Sequence, residues 1–211
     1  MTRRIVIADD HPIVRQGLLK IVTDAFTPII VREADCGQAV LDLVRKEAWD
    51  AIVLDITLPD KNGLDVLKDI RTIRPAQRVL MLSFHSEEQY AIRALKAGAA
   101  GYLTKDHATT EIVHALTKVF QGGRYVSAAL AERLADQLDA KTAAAPHEAL
   151  SDREHEVLCL LAQGKTPTEI GDLLAVSVKT VSTYRARVLE KLNLQTTAEL
   201  IRYALDHKLV E

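Results

Sequence analysis

Residues 51–65 read AIVLDITLPDKNGLD, an apolar run that ends on the acid Asp55 and leads through a turn into a helical pattern. A short apolar run bounded by turn residues is typical of a strand that is buried on both faces. The turn is marked by Pro59–Asp60 and Asn62–Gly63, both of which favour chain reversal. This stretch therefore predicts one strand–turn–helix unit.

The same unit recurs through the first part of the chain. Further apolar runs stand at RIVIA (4–8), IIV (29–31), RVLML (78–82) and AGYL (100–103). Amphipathic helical stretches follow the five runs, at about 12–25, 37–47, 63–73, 86–98 and 107–121. Strands that are apolar throughout and alternate with helices predict an α/β domain with a doubly wound, five-stranded parallel sheet.

The bulk composition excludes several classes of protein. The 211 residues carry a net charge of -2 and are 48% hydrophobic and 27% charged, which is typical of a globular chain. The two cysteines, Cys36 and Cys159, have neither a disulfide framework nor metal-ligand spacing. The N-terminus lacks a secretory pattern, and no apolar run approaches the ~18 residues of a membrane helix. We therefore expect a cytoplasmic protein with no membrane contact.

The sequence changes character after about residue 122. A helical stretch at 127–138 precedes the segment 139–149, which is rich in small and polar residues and is typical of a linker. From residue 150 onward the pattern fits four short helices, at 151–162, 166–174, 177–191 and 196–206. We therefore expect an N-terminal domain at 1–122, a helical and flexible linker at 123–149, and an all-α four-helix domain at 150–211.

Polar residues fall at the carboxyl ends of the predicted strands. They are Asp9, Asp10, Asp55, Ser83 and Lys105. In an open parallel sheet these ends share one crevice, where ligands bind. Converging carboxylates need a cation, and hard oxygen ligands suit Mg²⁺. A solvated loop would explain a lone acid pair, but it does not explain five such positions together.

The predicted pocket suggests phosphoryl chemistry. With a cation present, Asp55 is a carboxylate nucleophile that can accept a phosphoryl group. Lys105 can offset charge on the transferred oxygens, and the Ser83 hydroxyl can donate a hydrogen bond to one of them.

Four segments of the N-terminal domain resemble the receiver domain of response regulators, which has a flavodoxin-like fold. They are IVIADDHPIVRQGL, VLDITLPDKNGLD, MLSFH and AGAAGYLTKD, and they extend over about residues 3–122. The resemblance implies that Asp55 is the phospho-acceptor and that Ser83 and Lys105 respond to its modification. It further implies that Tyr102 is an aromatic switch, although a packing role is the alternative. The implied Mg²⁺ ligands are Asp10, Asp55 and the Thr57 backbone carbonyl, with Asp9 acting through water.

The C-terminal domain has the pattern of a helix-turn-helix. TPTEIGDLL (166–174) predicts a short helix with Ile170, Leu173 and Leu174 facing inward, and AVS predicts the turn. The following helix, VKTVSTYRARVLEKL, has an apolar stripe and an opposite face of small and basic residues suited to the major groove. The candidate DNA-binding residues are Lys179, Thr180, Ser182, Thr183, Arg185, Arg187 and Lys191. The GKT at 164–166 is not a nucleotide-binding loop, because Cys159 stands where its first glycine is required.

Charge alone leaves this interpretation open, because the four bases within 179–191 belong to a domain that is not basic overall. A solvated helix in a small interaction bundle would fit equally well. However, LSDREHEVL, AQGKTPTEI and LLAVSVKTVSTYRARVLEKL resemble the LuxR/GerE-type helix-turn-helix. A receiver joined to this module is the plan of the NarL/FixJ response regulators. The resemblance implies a sensor histidine kinase as phosphoryl donor, and a phosphorylated homodimer on an inverted DNA repeat.

Two other functions compete with a phosphorylation-dependent regulator. An aspartyl-phosphate hydrolase would need a second acid two residues after the nucleophile, and Thr57 cannot serve as a general acid. We therefore expect no enzyme activity of this kind. A constitutive DNA-binding protein with a non-phosphorylated receiver remains the alternative to the phosphorylation-dependent regulator.

Overall fold

The structure is a computed structural model that describes residues 2–84, 87–132, 145–207 and 209–210, with the side chains of 87–89 left out. The chain divides into two compact units, Met1–Ala135 and Asp136–Glu211. The sequence predicted an α/β unit followed by an all-α unit, and the described elements confirm both classes.

Five parallel strands form the sheet of the first unit. They are β1 (Arg3–Ala8), β2 (Ile29–Ala34), β3 (Ala51–Asp55), β4 (Val79–Ser83) and β5 (Gly101–Thr104). Their order is β2-β1-β3-β4-β5, so the winding direction reverses between β1 and β3. That reversal opens a crevice beyond the carboxyl ends of the two strands, where ligands of such folds bind.

Helices cover both faces of the sheet. They are α1 (Pro12–Ala25), α2 (Gly37–Lys46), α3 (Gly63–Ile73), α4 (Glu87–Lys96) and α5 (Lys105–Phe120). One core cluster packs α2, α3 and α4 against side chains such as Ile52 and Met81, and the other packs α1 and α5 against Ile5 and Val53. Both cores are made by the same strands because alternate residues point to opposite faces. This explains why the central strands β3 and β4 are buried at every position, whereas the edge strand β2 also carries Arg32 and Glu33.

The second unit contains four helices. They are α6 (Asp152–Ala162), α7 (Pro167–Leu173), α8 (Val178–Lys191) and α9 (Thr197–Asp206). Helices α6, α7 and α9 each begin with a capping box, in which a Ser or Thr hydroxyl and a Glu carboxylate satisfy backbone N–H groups at the helix start. Their apolar faces form one core around Val157, Ile170, Val181, Val188 and Leu200, all fully buried.

The turn between α7 and α8 differs from the sequence expectation in one respect. Ile170 and Leu174 are buried as predicted, but the inward position predicted for Leu173 is wrong, because its side chain is 53% exposed. Helix α7 ends at Leu173, and Ala175 adopts a φ of 52°, so that the Val176 N–H donates back to the Gly171 carbonyl and closes the helix. A Cβ on Gly171 would lie 2.8 Å from the Val176 carbonyl oxygen, so a glycine there allows the turn to approach closely.

The region between the two sequence-predicted domains is described in part. Residues 128–132 are helical, within the predicted helix 127–138, and Leu130 packs into a core cluster of the first unit. Residues 133–144, which include most of the predicted linker 139–149, lie outside the described residues. Pro146–Ala149 forms a short 3-10 helix. Across the described residues, no helix combines the length and the apolar character needed to span a bilayer.

Candidate functional site

The sheet brings the predicted pocket residues together at one edge. Asp9 follows β1 directly, Asp55 ends β3, Ser83 ends β4, and Lys105 is the first residue of α5 after β5. In the strand register Asp55 lies opposite Leu82, and Ser83 lies opposite Thr104. Each polar residue is therefore placed at a strand's carboxyl end, as the sequence predicted.

A buried ammonium group joins two carboxylates in this pocket. The Lys105 Nζ lies 2.8 Å from Asp9 Oδ2 and donates a hydrogen bond of 2.6 Å to Asp55 Oδ2. The side chains of all three residues are at most 2% exposed. A buried charge is stable only when it is paired, so the lysine and the two acids hold one another in place.

The Asp55 carboxyl is poised between its two protonation states. Burial raises its pKa from 3.8 to about 7, although the nearby Lys105 ammonium opposes that shift and the Asp9 carboxylate adds to it. The Thr57 backbone N–H also donates to Asp55 Oδ1 across 3.3 Å, which favours the ionised form. A cation beside Asp55 would favour ionisation further, because an adjacent positive charge stabilises a carboxylate.

The pocket has the donor set of a divalent cation site. Asp9, Asp10, His11 and Asp55 each offer one ligand atom, and these atoms lie within 4.8 Å of one another. The buried oxygens Asp9 Oδ2 and Asp10 Oδ1 accept no hydrogen bond of good geometry from the described residues. Several carboxylate oxygens with unfilled acceptor capacity fit Mg²⁺, which prefers hard oxygen ligands and keeps some of its waters.

The loop after Asp55 is fixed by contacts that the sequence analysis did not identify. The Asp60 carboxylate accepts hydrogen bonds from the backbone N–H groups of Gly37 and Gln38, 2.7 Å and 2.8 Å away, and so caps α2. A Cβ on Gly63 would lie 2.1 Å from the Asp55 carbonyl oxygen, so the glycine lets α3 begin directly beneath the acid. These contacts hold both sides of the loop that carries Thr57.

Ser83 and Tyr102 are both fully buried. Phe84, which the sequence analysis did not single out, lies between the pocket and solvent. Its ring is 4.6 Å from the Lys105 Nζ, in a cation–π contact, and 58% of the residue is exposed. The aromatic ring therefore covers the Lys105 ammonium at the rim of the pocket.

The predicted DNA-binding face lies on α8. Val181 and Val188 of this helix are buried in the core, whereas the opposite face carries Lys179, Thr183 and Arg187, all exposed. Ser182 is also exposed, and Thr180 is half-buried. A helix whose outer face is small, polar and basic has the shape and charge to enter a DNA groove.

Arg185 and Lys191, two of the seven candidate DNA-binding residues, make side-chain contacts with neighbouring helices of the unit. Lys191 Nζ lies 2.6 Å from Glu154 Oε2, and Arg185 Nε donates a hydrogen bond of 2.8 Å to Thr197 Oγ1. Glu154 is buried, which opposes ionisation, but hydrogen bonds from Lys191 and Ser151 lower its pKa overall. These contacts link α8 to α6 and α9, so Arg185 and Lys191 help to hold α8 in place as well as lying beside its exposed face.

Comparison with protein families resolves the identity of both units. Residues 5–117 match the response regulator receiver domain, and residues 148–204 match the LuxR family of bacterial regulatory proteins. The chain is a response regulator of the NarL/FixJ family. The resemblance expected from the sequence is thereby confirmed. A NarL/FixJ regulator couples a receiver to a LuxR-type DNA-binding domain, and it is a regulator of transcription and not an enzyme.

Curated relatives match nearly the whole of this NarL/FixJ regulator. The response regulator UvrY of Escherichia coli K12 is 33% identical over 97% of this chain and 94% of its own length. GacA of Pseudomonas aeruginosa is 33% identical over 99% and 98%. The transcriptional regulatory protein MctR of Rhizobium johnstonii is 36% identical over 98% and 95%.

Solved structures with the same fold include DNA complexes. RcsB of Salmonella enterica serovar Typhimurium, bound to the promoter rprA in the presence of the phosphomimetic BeF3-, is similar with a TM-score of 0.63 and 27% identity. The match covers 96% of this regulator and 98% of that chain. A second structure, of two RcsB dimers bound to two parallel DNAs, has a TM-score of 0.60 and 26% identity, with both chains fully covered.

Proposed function

We propose that this response regulator is phosphorylated on Asp55 by a sensor histidine kinase and that phosphorylation promotes dimerisation and promoter binding. The observation that supports this most directly is the buried Lys105 ammonium, which contacts the Asp9 and Asp55 carboxylates at the carboxyl edge of the sheet. Receiver domains generally bind Mg²⁺ at such an acidic pocket. Asp10, Asp55 and the Thr57 carbonyl would hold the ion here, with Asp9 acting through water, and its charge would offset that of the transferred group.

The acceptor chemistry follows from the position of Asp55. An ionised carboxylate oxygen of Asp55 attacks phosphorus, so that a new O–P bond forms while the N–P bond of the kinase's phosphohistidine breaks. The imidazole leaves with the electron pair of that bond. The Lys105 ammonium neutralises charge on the phosphoryl oxygens, as such transfers require.

Ser83 and Tyr102 would carry the signal away from Asp55. A phosphoryl group on Asp55 adds acceptor oxygens beside β4, and the Ser83 hydroxyl can donate to one of them. Lys105 would move from the carboxylates towards the same group. We propose that these two shifts change the packing of Tyr102, which lies buried on the neighbouring strand β5.

Promoter binding is assigned to the exposed face of α8. Lys179, Thr183 and Arg187 would contact bases or phosphates first, and Thr180, Ser182, Arg185 and Lys191 would contact the backbone at the margins. One such helix reads only a few base pairs, so a homodimer on an inverted repeat would supply the remaining specificity. The structure of RcsB dimers bound to DNA supports the dimeric part of this proposal.

The remaining assignments are proposals of the same kind. We place the receiver at 1–122, a linker at 123–149 and the DNA-binding domain at 150–211. A cytoplasmic location fits a regulator that must reach both its kinase and chromosomal DNA.

The test is phosphoryl labelling of the purified full-length protein. With a phosphoryl donor and Mg²⁺, wild type should be labelled and Asp55→Asn should not, because the amide cannot act as the nucleophile. Asp65→Asn is a matched control on α3 that should label normally. If Asp55→Asn is labelled to the same extent, the acceptor is another residue. If wild type and Asp55→Asn bind promoter DNA equally in the presence of donor, the constitutive alternative holds.

A further inference from the structure

His11 places an imidazole nitrogen among the pocket carboxylates. Its Nδ1 lies 2.6 Å from Asp10 Oδ1 and 3.3 Å from Asp9 Oδ1. A magnesium site needs only oxygen donors, so this nitrogen adds a ligand of a different chemical class. Imidazole is a preferred ligand of Zn²⁺, Ni²⁺ and Cu²⁺, which bind nitrogen donors more strongly than Mg²⁺ does.

The backbone and a neighbouring ring hold His11 towards the pocket. The His11 backbone N–H donates a hydrogen bond of 2.9 Å to Asp9 Oδ1. His11 is the residue immediately before α1. The ring packs edge-on against Phe84, with centroids 5.9 Å apart and planes at 79°. The His11 side chain is still 51% exposed. The ring is therefore positioned at the rim of the pocket but free to adjust by a small rotation.

Among the described residues, two carboxylate oxygens of the pocket accept no hydrogen bond. A bound ion would use the acceptor capacity that they leave unfilled. Asp9 Oδ2 and Asp10 Oδ1 are shielded from solvent, and within the described residues neither accepts a hydrogen bond. Lys105 Nζ lies 2.8 Å from Asp9 Oδ2, and His11 Nδ1 lies 2.6 Å from Asp10 Oδ1. Neither approach has the angles of a hydrogen bond. A metal between His11 and Asp10 would satisfy the second oxygen and the ring nitrogen at once.

We propose that this pocket also binds divalent transition-metal ions, represented by Zn²⁺, with His11 as a ligand beside Asp10 and Asp55, and that such ions displace Mg²⁺. The inference rests on the proposed cation-binding role of the Asp10–Asp55 pocket. Donors around a four-coordinate Zn²⁺ lie about 2.0–2.2 Å from the ion, so neighbouring donors are about 3.4 Å apart. The ligand atoms of Asp10, His11 and Asp55 lie within 4.8 Å of one another, so side-chain rotations at the half-exposed His11 and at Asp10 would bring them to that spacing.

The first experiment measures Zn²⁺ and Mg²⁺ affinity of full-length protein by titration calorimetry. His11→Ala should weaken Zn²⁺ binding at this site by about tenfold or more, because it removes a ligand. The Mg²⁺ affinity of the same variant should stay at the wild-type value, because the oxygen donors remain. His207→Ala is the matched control, since His207 belongs to the second unit, and it should leave pocket affinity for both ions unchanged.

The second experiment identifies the ligand directly. With Mn²⁺ as a paramagnetic probe, pulsed EPR should detect the ¹⁴N coupling of a bound imidazole in wild type and in His207→Ala, and the coupling should vanish in His11→Ala. If Mg²⁺ binds but His11→Ala changes neither the Zn²⁺ affinity nor the ¹⁴N signal, the inference about His11 is wrong. If neither ion binds wild type more tightly than Asp10→Ala, the proposed cation pocket itself fails.

Discussion

The receiver pocket and the exposed face of α8 carry the two halves of the proposed function, and they use charge in opposite ways. In the pocket, Lys105 and two acids from different strand ends are buried and bind one another. On α8, Lys179 and Arg187 come from one helix and face solvent. Buried charges interact strongly and depend on their partners, whereas exposed charges interact weakly and nearly independently. Changes in the pocket should therefore have larger and more strongly coupled effects than changes on the helix.

Removing the pocket lysine should have the largest effect on stability. Lys105→Met leaves Asp9 and Asp55 buried without their cation, and we expect the free energy of unfolding of the first unit to fall by about 3–5 kcal/mol at pH 8 without Mg²⁺. The loss should be smaller at pH 5, where Asp55 is protonated. Chemical denaturation at both pH values measures it.

Lys118→Met is the control for this experiment, because Lys118 is an exposed lysine on the same helix α5. It should change stability by about 0.5 kcal/mol or less. Equal effects of the two substitutions would show that the buried ion pairs do not dominate the pocket.

The raised pKa of Asp55 predicts a pH-dependent affinity for Mg²⁺. The ion binds the carboxylate, so well below the pKa of about 7 each pH unit should weaken binding by about tenfold, and the loss between pH 7 and pH 5 should be about 50-fold. A carboxyl group with the ordinary pKa of 3.8 would lose little Mg²⁺ affinity between pH 7 and pH 5. Titration calorimetry at several pH values measures the slope, and an affinity that stays flat between pH 5 and 7 contradicts the raised pKa.

The same pKa has a consequence for stability without the metal. The pKa of Asp55 is higher in the folded state than in the unfolded state. Its contribution to the free energy of unfolding is therefore most favourable below about pH 4 and is lost as the pH rises through 7. Asp55→Asn removes this titration. The stability of wild type relative to Asp55→Asn should therefore decline between pH 4 and 7, and the decline should disappear when Mg²⁺ saturates the site.

On the DNA-binding face, Arg187→Ala should cost less. If Arg187 contacts a base, affinity for the target site should fall by about 1–3 kcal/mol with relaxed specificity. If it contacts phosphate, the affinity should fall by the same factor for every DNA sequence. The slope of log affinity against log salt concentration should then become less steep by about one. Arg202 on α9, whose side chain is 85% exposed, is the matched control. If Arg202→Ala weakens DNA binding more than Arg187→Ala does, α8 is not the recognition helix.

The comparison of the two regions also explains what the sequence could predict. The strand-end rule locates Asp9, Asp55 and Lys105 because it needs only the strand boundaries and a parallel sheet. Helical periodicity likewise locates the buried and exposed faces of α8. In contrast, the Asp60 cap on α2 joins residues more than 20 positions apart, and the Glu154–Lys191 pair joins residues 37 apart. Such contacts depend on how complete helices pack, which no local pattern determines.

The smallest predicted effect concerns the turn that presents α8. Ala175 has a φ of 52°, a left-handed conformation that costs a residue with a Cβ about 1–2 kcal/mol. Glycine adopts this conformation freely but loses more entropy on folding, by about 0.5–1 kcal/mol. Ala175→Gly should therefore stabilise the second unit by a net amount of about 0.5–1 kcal/mol. Thermal or chemical unfolding of the full-length protein, followed with a probe in the second unit, would measure it.

Asn193 provides a matched comparison for this substitution, because it has a φ of 55° just after α8. Asparagine tolerates the left-handed region better than alanine does, so Asn193→Gly should gain less stability than Ala175→Gly. A loss of stability in Ala175→Gly would mean that the alanine methyl group contributes packing that outweighs the backbone strain. In that case the turn would be held by side-chain contacts, and the orientation of α8 would depend on them as well as on the Val181 and Val188 core.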